Sequence, residues 1–105
     1  MSDEMSDSVI AGSGKPGKNL TQLNNPTGVI VDNMGTVYVA DSKNHRVMRW
    51  FPGEAQGTII AGGAGFGRAA NQLNEPVALS FDREGNLYVV DRGNNRVQKF
   101  ILLST

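Results

Sequence analysis

The sequence predicts an all-β chain made of two copies of one four-stranded unit, and three observations carry that prediction. First, the chain repeats itself. Ile10-Ala11-Gly12 returns as Ile60-Ala61-Gly62 and Gln22-Leu23-Asn24 as Gln72-Leu73-Asn74, both at an offset of 50 residues. Residues 23–50 align without a gap on 73–100, with 11 identities in 28 positions. Second, each unit consists of short runs rich in β-branched and aromatic residues, divided by Gly, Pro, Asn and Asp. Third, no window shows a helical period with caps at its ends.

The elements follow in order. Pro26 to Asp32, with Val29, Ile30 and Val31 consecutive, reads as a first strand, and Val77 to Phe81 is its partner in the second unit. A run apolar on both faces predicts burial on both sides. Asn33-Met34-Gly35 and Arg83-Glu84-Gly85 read as tight turns, with Gly where a positive φ is needed. Val37 to Ala40 and Leu87 to Val90 are second strands. Asp41 to His45 and Asp91 to Asn95 are polar turns, and Arg46 to Phe51 and Arg96 to Leu102 are third strands. After Pro52-Gly53, Thr58 to Ala61 is a fourth strand, and Val9-Ile10-Ala11 is its equivalent at the front of the chain. Trp50, Phe51, Phe81 and Phe100 are expected in the core between units.

Composition narrows the function. The chain has 105 residues, with ten basic and ten acidic side chains that cancel. That balance makes nucleic acid an unfavoured partner. No run approaches the ~18 apolar residues of a membrane span. There is no cysteine, hence no disulfide framework and no thiolate metal site. Residues 1–7 are acidic and polar, without a secretory signal pattern; they are expected to form a frayed tail, and the cytoplasm is the default location. The repeat units then occupy about 8–55 and 56–105.

The repeated residues Pro26, Gly28, Asp32, Gly35, Tyr38-Val39-Ala40-Asp41 and Asn44-His45-Arg46-Val47 resemble an NHL repeat. Pro76, Asp82, Gly85, Tyr88-Val89-Val90-Asp91 and Asn94-Asn95-Arg96-Val97 resemble a second. Ala78 stands where the first unit has Gly28, and Asn95 where it has His45. The resemblance covers residues 8–103 and implies four-stranded antiparallel blades of a six-bladed β-propeller. Proteins of this family bind proteins or RNA, and some related six-bladed propellers are metal-dependent lyases or hydrolases.

The recurring Asp41, Asn44, Arg46 and Asp91, Asn94, Arg96 admit two readings, a polar ligand platform or structural stapling between blades; recurrence in each unit favours stapling. His45, the single histidine, is insufficient for a metal site, and no nucleophile–base pair, carboxylate pair or zinc pattern stands out. The expectation is a non-enzyme without cofactor or metal. The glycine-rich stretches 12–18 and 62–68 match no phosphate-loop pattern and read as connections between blades. With Lys15, Lys18 and Arg68 they form, together with His45, a candidate face for a protein, a peptide or a small anion.

Two blades leave apolar sheet faces that a repeat unit cannot bury by itself. Several hundred Å² of such surface per face at ~25 cal/mol per Å² is worth on the order of 10 kcal/mol. The sequence therefore predicts self-association, with three chains closing six blades; the alternatives are four chains closing eight, or a fold completed by a missing remainder of the chain. The second unit stops after its third strand, so Val9, Ile10 and Ala11 are expected to serve as an inter-chain clasp, the missing fourth strand of a neighbour.

Overall fold

The computed structural model describes residues 8–63, 65 and 67–102. The acidic segment 1–7, Ala64 and Phe66 of the second glycine-rich stretch, and residues 103–105 lie outside the described residues. Seven strands form two antiparallel sheets. The first holds β1 (Pro26–Val31), β2 (Val37–Asp41), β3 (Arg46–Trp50) and β4 (Thr58–Gly62) in sequential order; the second holds β5 (Pro76–Phe81), β6 (Leu87–Asp91) and β7 (Arg96–Phe100).

The turns are set by side chains acting locally. Asp32 Oδ1 accepts the N–H groups of Met34 at 2.9 Å and Thr36 at 3.0 Å, and Gly35 closes the β1–β2 turn at φ 86°. Asp82 repeats this with Glu84 and Asn86, and Gly85 repeats it at φ 84°. Between the second and third strands of each sheet lies a single 3₁₀ turn, Ser42–Asn44 and Arg92–Asn94. It ends in a left-handed residue, His45 or Asn95, both at φ 53°.

The sheets converge where β5 packs against β1 and β2. Gly28 permits that approach, because a Cβ there would stand 3.0 Å from the Val77 carbonyl oxygen. Between the sheets lies one core of Val47, Ala61, Leu73, Leu87 and Val89, with Ile30, Leu79, Phe81 and Phe100 packed on it. A second cluster, Val37, Val39, Met48 and Trp50, sits on the far face of the first sheet, with Ala11, Leu20 and Leu23 against it.

Several expectations need correction. β1 is not buried on both sides: Val29 is 61% exposed and Val31 59%, while Ile30 between them faces the core. The alternation arises because only one face of the first sheet has another sheet against it. Val9-Ile10-Ala11, expected to pair with a neighbouring chain, forms no strand within the single chain, where Val9 is 80% exposed and Ile10 58%. Phe51 is 40% exposed and stacks under Arg49 instead of filling the core. Trp50 is buried, but in the far-face cluster and not between the sheets. The third strands also end earlier than expected, at Trp50 and Phe100.

Candidate functional site

The Asp-Asn-Arg motif lies where the 3₁₀ turn joins the two inner strands to the connection entering the same sheet. Asp41 Oδ1 accepts the Asn24 N–H at 2.7 Å, and Oδ2 accepts Asn44 Nδ2 at 2.9 Å and Arg46 Nε at 2.6 Å. Arg46 then donates to the carbonyls of Lys18, Asn19 and Gln22, and Asn44 to that of Gly17. The second sheet copies this bond for bond. Asp91 holds Asn74 N, Asn94 and Arg96, and Arg96 reaches the carbonyls of Arg68, Ala69 and Gln72. The carboxylates are wholly buried, so charge-matched bonds must satisfy them. Burial alone would raise the Asp91 pKa, but the bonds from Asn74, Asn94, Arg96 and Gln98 hold it below the ordinary value. The motif staples the entering loop to its own sheet. Stapling between neighbouring sheets falls to other residues.

One of those residues is His45. Its Nδ1 accepts the Glu75 N–H at 3.1 Å, across the junction between the sheets. Lys43 and Arg92 flank the Glu75 carboxylate from both sheets at 3.6 and 2.6 Å, and Arg92, then Lys43, lowers its pKa. Thr27 Oγ1 also donates to the Pro76 carbonyl at 3.2 Å. His45 is thus engaged at the junction, a role that no local pattern signals. Lys15, Lys18 and Arg68 are exposed on the connections; Lys15 lines a groove of about 310 Å³ with the glycines at 12 and 14. Among the described residues, no three His, Cys, Asp or Glu side chains gather as a metal site would require. No described helix is long and apolar enough to cross a membrane.

The strongest feature is an inequality between equivalent faces. Leu79 and Phe81 of β5 pack on the core between the sheets, whereas their counterparts Val29 and Val31 on β1 are 61% and 59% exposed. On the other side, Ala40 and Val47 are fully buried, Val47 in the core shared with the second sheet. Their counterparts Val90 and Val97 are 38% and 63% exposed. The chain therefore carries one closed sheet-on-sheet junction and two exposed apolar faces, at Val29 and Val31 and at Val90 and Val97. The connections before each sheet also match. Gly17 N–H donates to Leu23 O at 3.2 Å as Gly67 does to Leu73 O at 3.3 Å. A Cβ on Gly12 would lie 3.2 Å from Leu23 Cδ1, as one on Gly62 would lie 2.9 Å from Leu73 Cδ1. Val9 to Ala11 thus run beside Val29, Val37 and Val39, in the place that β4 takes beside the second sheet.

Two packed antiparallel sheets, one of four strands and one of three, entered by matching loops, are consistent with the blades of a β-propeller. The NHL repeat model matches residues 23–49 and 73–100, more than half of the chain, and the chain belongs to the NHL repeat family. Two solved structures from Bacteroides thetaiotaomicron share the fold. One is a candidate phosphatase, with a TM-score of 0.71 and 18% identity over 91% of this chain and 26% of its own. The other is an auxiliary nutrient binding protein, with a TM-score of 0.67 and 19% identity over 88% of this chain and 28% of its own. The chain thus spans little more than a quarter of either. No curated protein matches it.

Proposed function

We propose that this chain is a self-assembling unit of a closed propeller, a non-catalytic binding module whose remaining blades come from further copies, three chains forming six blades. The inequality of equivalent faces carries this reading. Docking the second blade of one copy onto the first blade of the next would set Val90 and Val97 against Val37 and Val39. Within the chain, Val47 clusters with Leu87 and Val89 in the same way. Because the two exposed faces are different surfaces, each contact passes the unmatched face onward, and rotation closes the series into a ring.

The β3–β4 ladder supplies the register of the clasp. There Arg46 pairs with Gly62, Val47 with Ala61, Met48 with Ile59 and Arg49 with Thr58. At the offset of 50 residues, Arg96, Val97, Gln98 and Lys99 of one copy would meet Gly12, Ala11, Val9 and Ser8 of the next. Family membership supports a binding role for the ring, and one structural relative is itself described as nutrient-binding.

The test uses Val29→Arg and Val97→Arg, both at exposed positions where a separate chain tolerates charge. Each variant should keep the β-sheet circular dichroism of the parent and sediment as a single chain of 11.3 kDa. Variants that retain the parent's assembled mass would overturn the proposal.

A further inference from the structure

At the end of the blades carrying the β1–β2 and β5–β6 turns, a cleft of about 610 Å³ opens between the two sheets. It lies opposite the face that the connections form, and it is built wholly within one chain. Tyr38 and Phe81 meet edge to face in its wall, with ring centroids 5.0 Å apart at 86°. Arg49 lies over the Phe51 ring, its guanidinium carbon 4.7 Å from the centroid. Among the described residues, Arg49 Nε is the one buried side-chain polar atom with no hydrogen-bond partner. A buried, charged N–H without an acceptor is costly, and its natural acceptor is an anion that fits the planar fork.

The second blade shows what a filled version looks like. There Lys99 stands over Tyr88, and the Tyr88 hydroxyl donates to Asp82 Oδ2 at 3.1 Å. In the first blade, Asp32 uses Oδ1 for the turn, and neither Tyr38 nor Arg49 bonds to it. Among the described residues, Arg49, Phe51, Phe81 and a Tyr38 whose hydroxyl makes no bond to the turn aspartate thus come together in this cleft. Asp32 and Glu84 on the rim disfavour a doubly charged anion through like-charge repulsion.

We propose that this cleft binds a small monocarboxylate with an aromatic or apolar body. The carboxylate would take the Arg49 fork, and the body would lie among Tyr38, Phe51 and Phe81. This does not depend on assembly of the ring.

Titration calorimetry and NMR shifts of the full chain with 3-phenylpropionate test it. Binding should appear in the micromolar to millimolar range, with shifts at Tyr38, Phe51 and Phe81. It should weaken about tenfold or more for 3-phenylpropanamide, for phenyl phosphate and for the Arg49→Lys variant. Arg49→Met should abolish it, with urea unfolding confirming that the variant is folded. Acetylglycyl-phenylalanine carries the same carboxylate on a peptide. Tighter binding of the peptide assigns the carboxylate to a chain terminus, and weaker binding assigns it to a free acid. Equal binding of acid and amide, equal binding by the parent and Arg49→Met, tighter binding of phenyl phosphate, or no binding at millimolar acid would overturn the proposal.

Discussion

Replacing Asp41 by Ala removes a carboxylate that accepts three hydrogen bonds, at 2.6 to 2.9 Å, in a site with no solvent access. What remains is Arg46, whose side chain is 5% exposed and whose charge then has no counter-charge, only the three loop carbonyls. Breaking one side of such a pair costs about 3–5 kcal/mol. A domain of this size has about 5–15 kcal/mol in all, so Asp41→Ala should sit near the edge of folding. The twin substitution Asp91→Ala should cost less, about 1–3 kcal/mol, because Arg96 is 30% exposed and keeps water. The informative experiment is the cycle with Arg46→Met. That change alone loses three loop bonds and strands the carboxylate, yet in the double variant no unpaired charge is left. The losses should therefore be less than additive by about 1–3 kcal/mol. Urea unfolding followed by circular dichroism, at unchanged slope, measures each corner. Where Asp41→Ala does not fold, Asp41→Asn, which keeps an acceptor for Asn24, takes its corner. Losses that add within about 0.5 kcal/mol, or an Asp91→Ala loss equal to that of Asp41→Ala, would refute the stapling argument.

Acid should destabilise the fold through Glu75, Asp82 and Asp91. Arg92 and Lys43 lower the pKa of Glu75, and backbone and side-chain bonds led by Asn86 lower that of Asp82; Asp91 is lowered despite its burial. Below the ordinary values of 4.5 and 3.8 the unfolded chain binds more protons than the folded one. Their contribution is therefore complete above those values and is lost as pH falls through the lower folded-state values. The urea midpoint should drop across this acidic range, and a midpoint that stays level would count against these bonds. His45→Ala should cost about 1–2 kcal/mol, from a lost junction bond and a left-handed backbone. His45→Asn should cost less because Asn tolerates that backbone; equal losses would deny the backbone contribution. Leu73→Ala, at a fully buried position in the core between the blades, should cost about 2–5 kcal/mol by thermal unfolding. A loss below about 1 kcal/mol would show that the core is not packed there.

Much of this architecture was legible in the chain because its determinants are local. Asp32, Gly35 and their twins fix the hairpins within a few residues, and the offset of 50 residues makes each element report twice. Burial was less legible, because it depends on which faces have neighbours. Val29 and Leu79 occupy equivalent places in sequence, but only Leu79 packs on a core. The Asp-Asn-Arg motif announced itself by recurrence, although its targets, the carbonyls of the entering loop, are backbone atoms without a side-chain signature. The bond from Glu75 to His45 joins residues 30 apart and leaves no pattern. Arg49 and Phe81 belong to different blades, and only the angle between the sheets brings them to one cleft.

The mass of the chain in solution tests the central claim most directly. Light scattering coupled to size exclusion, across a range of concentrations, should give one species at three times 11.3 kDa. A ring of four at four times that mass would keep closure but correct the number. A folded single chain of 11.3 kDa at every concentration, or an open ladder of sizes, would contradict closure by copies of the chain.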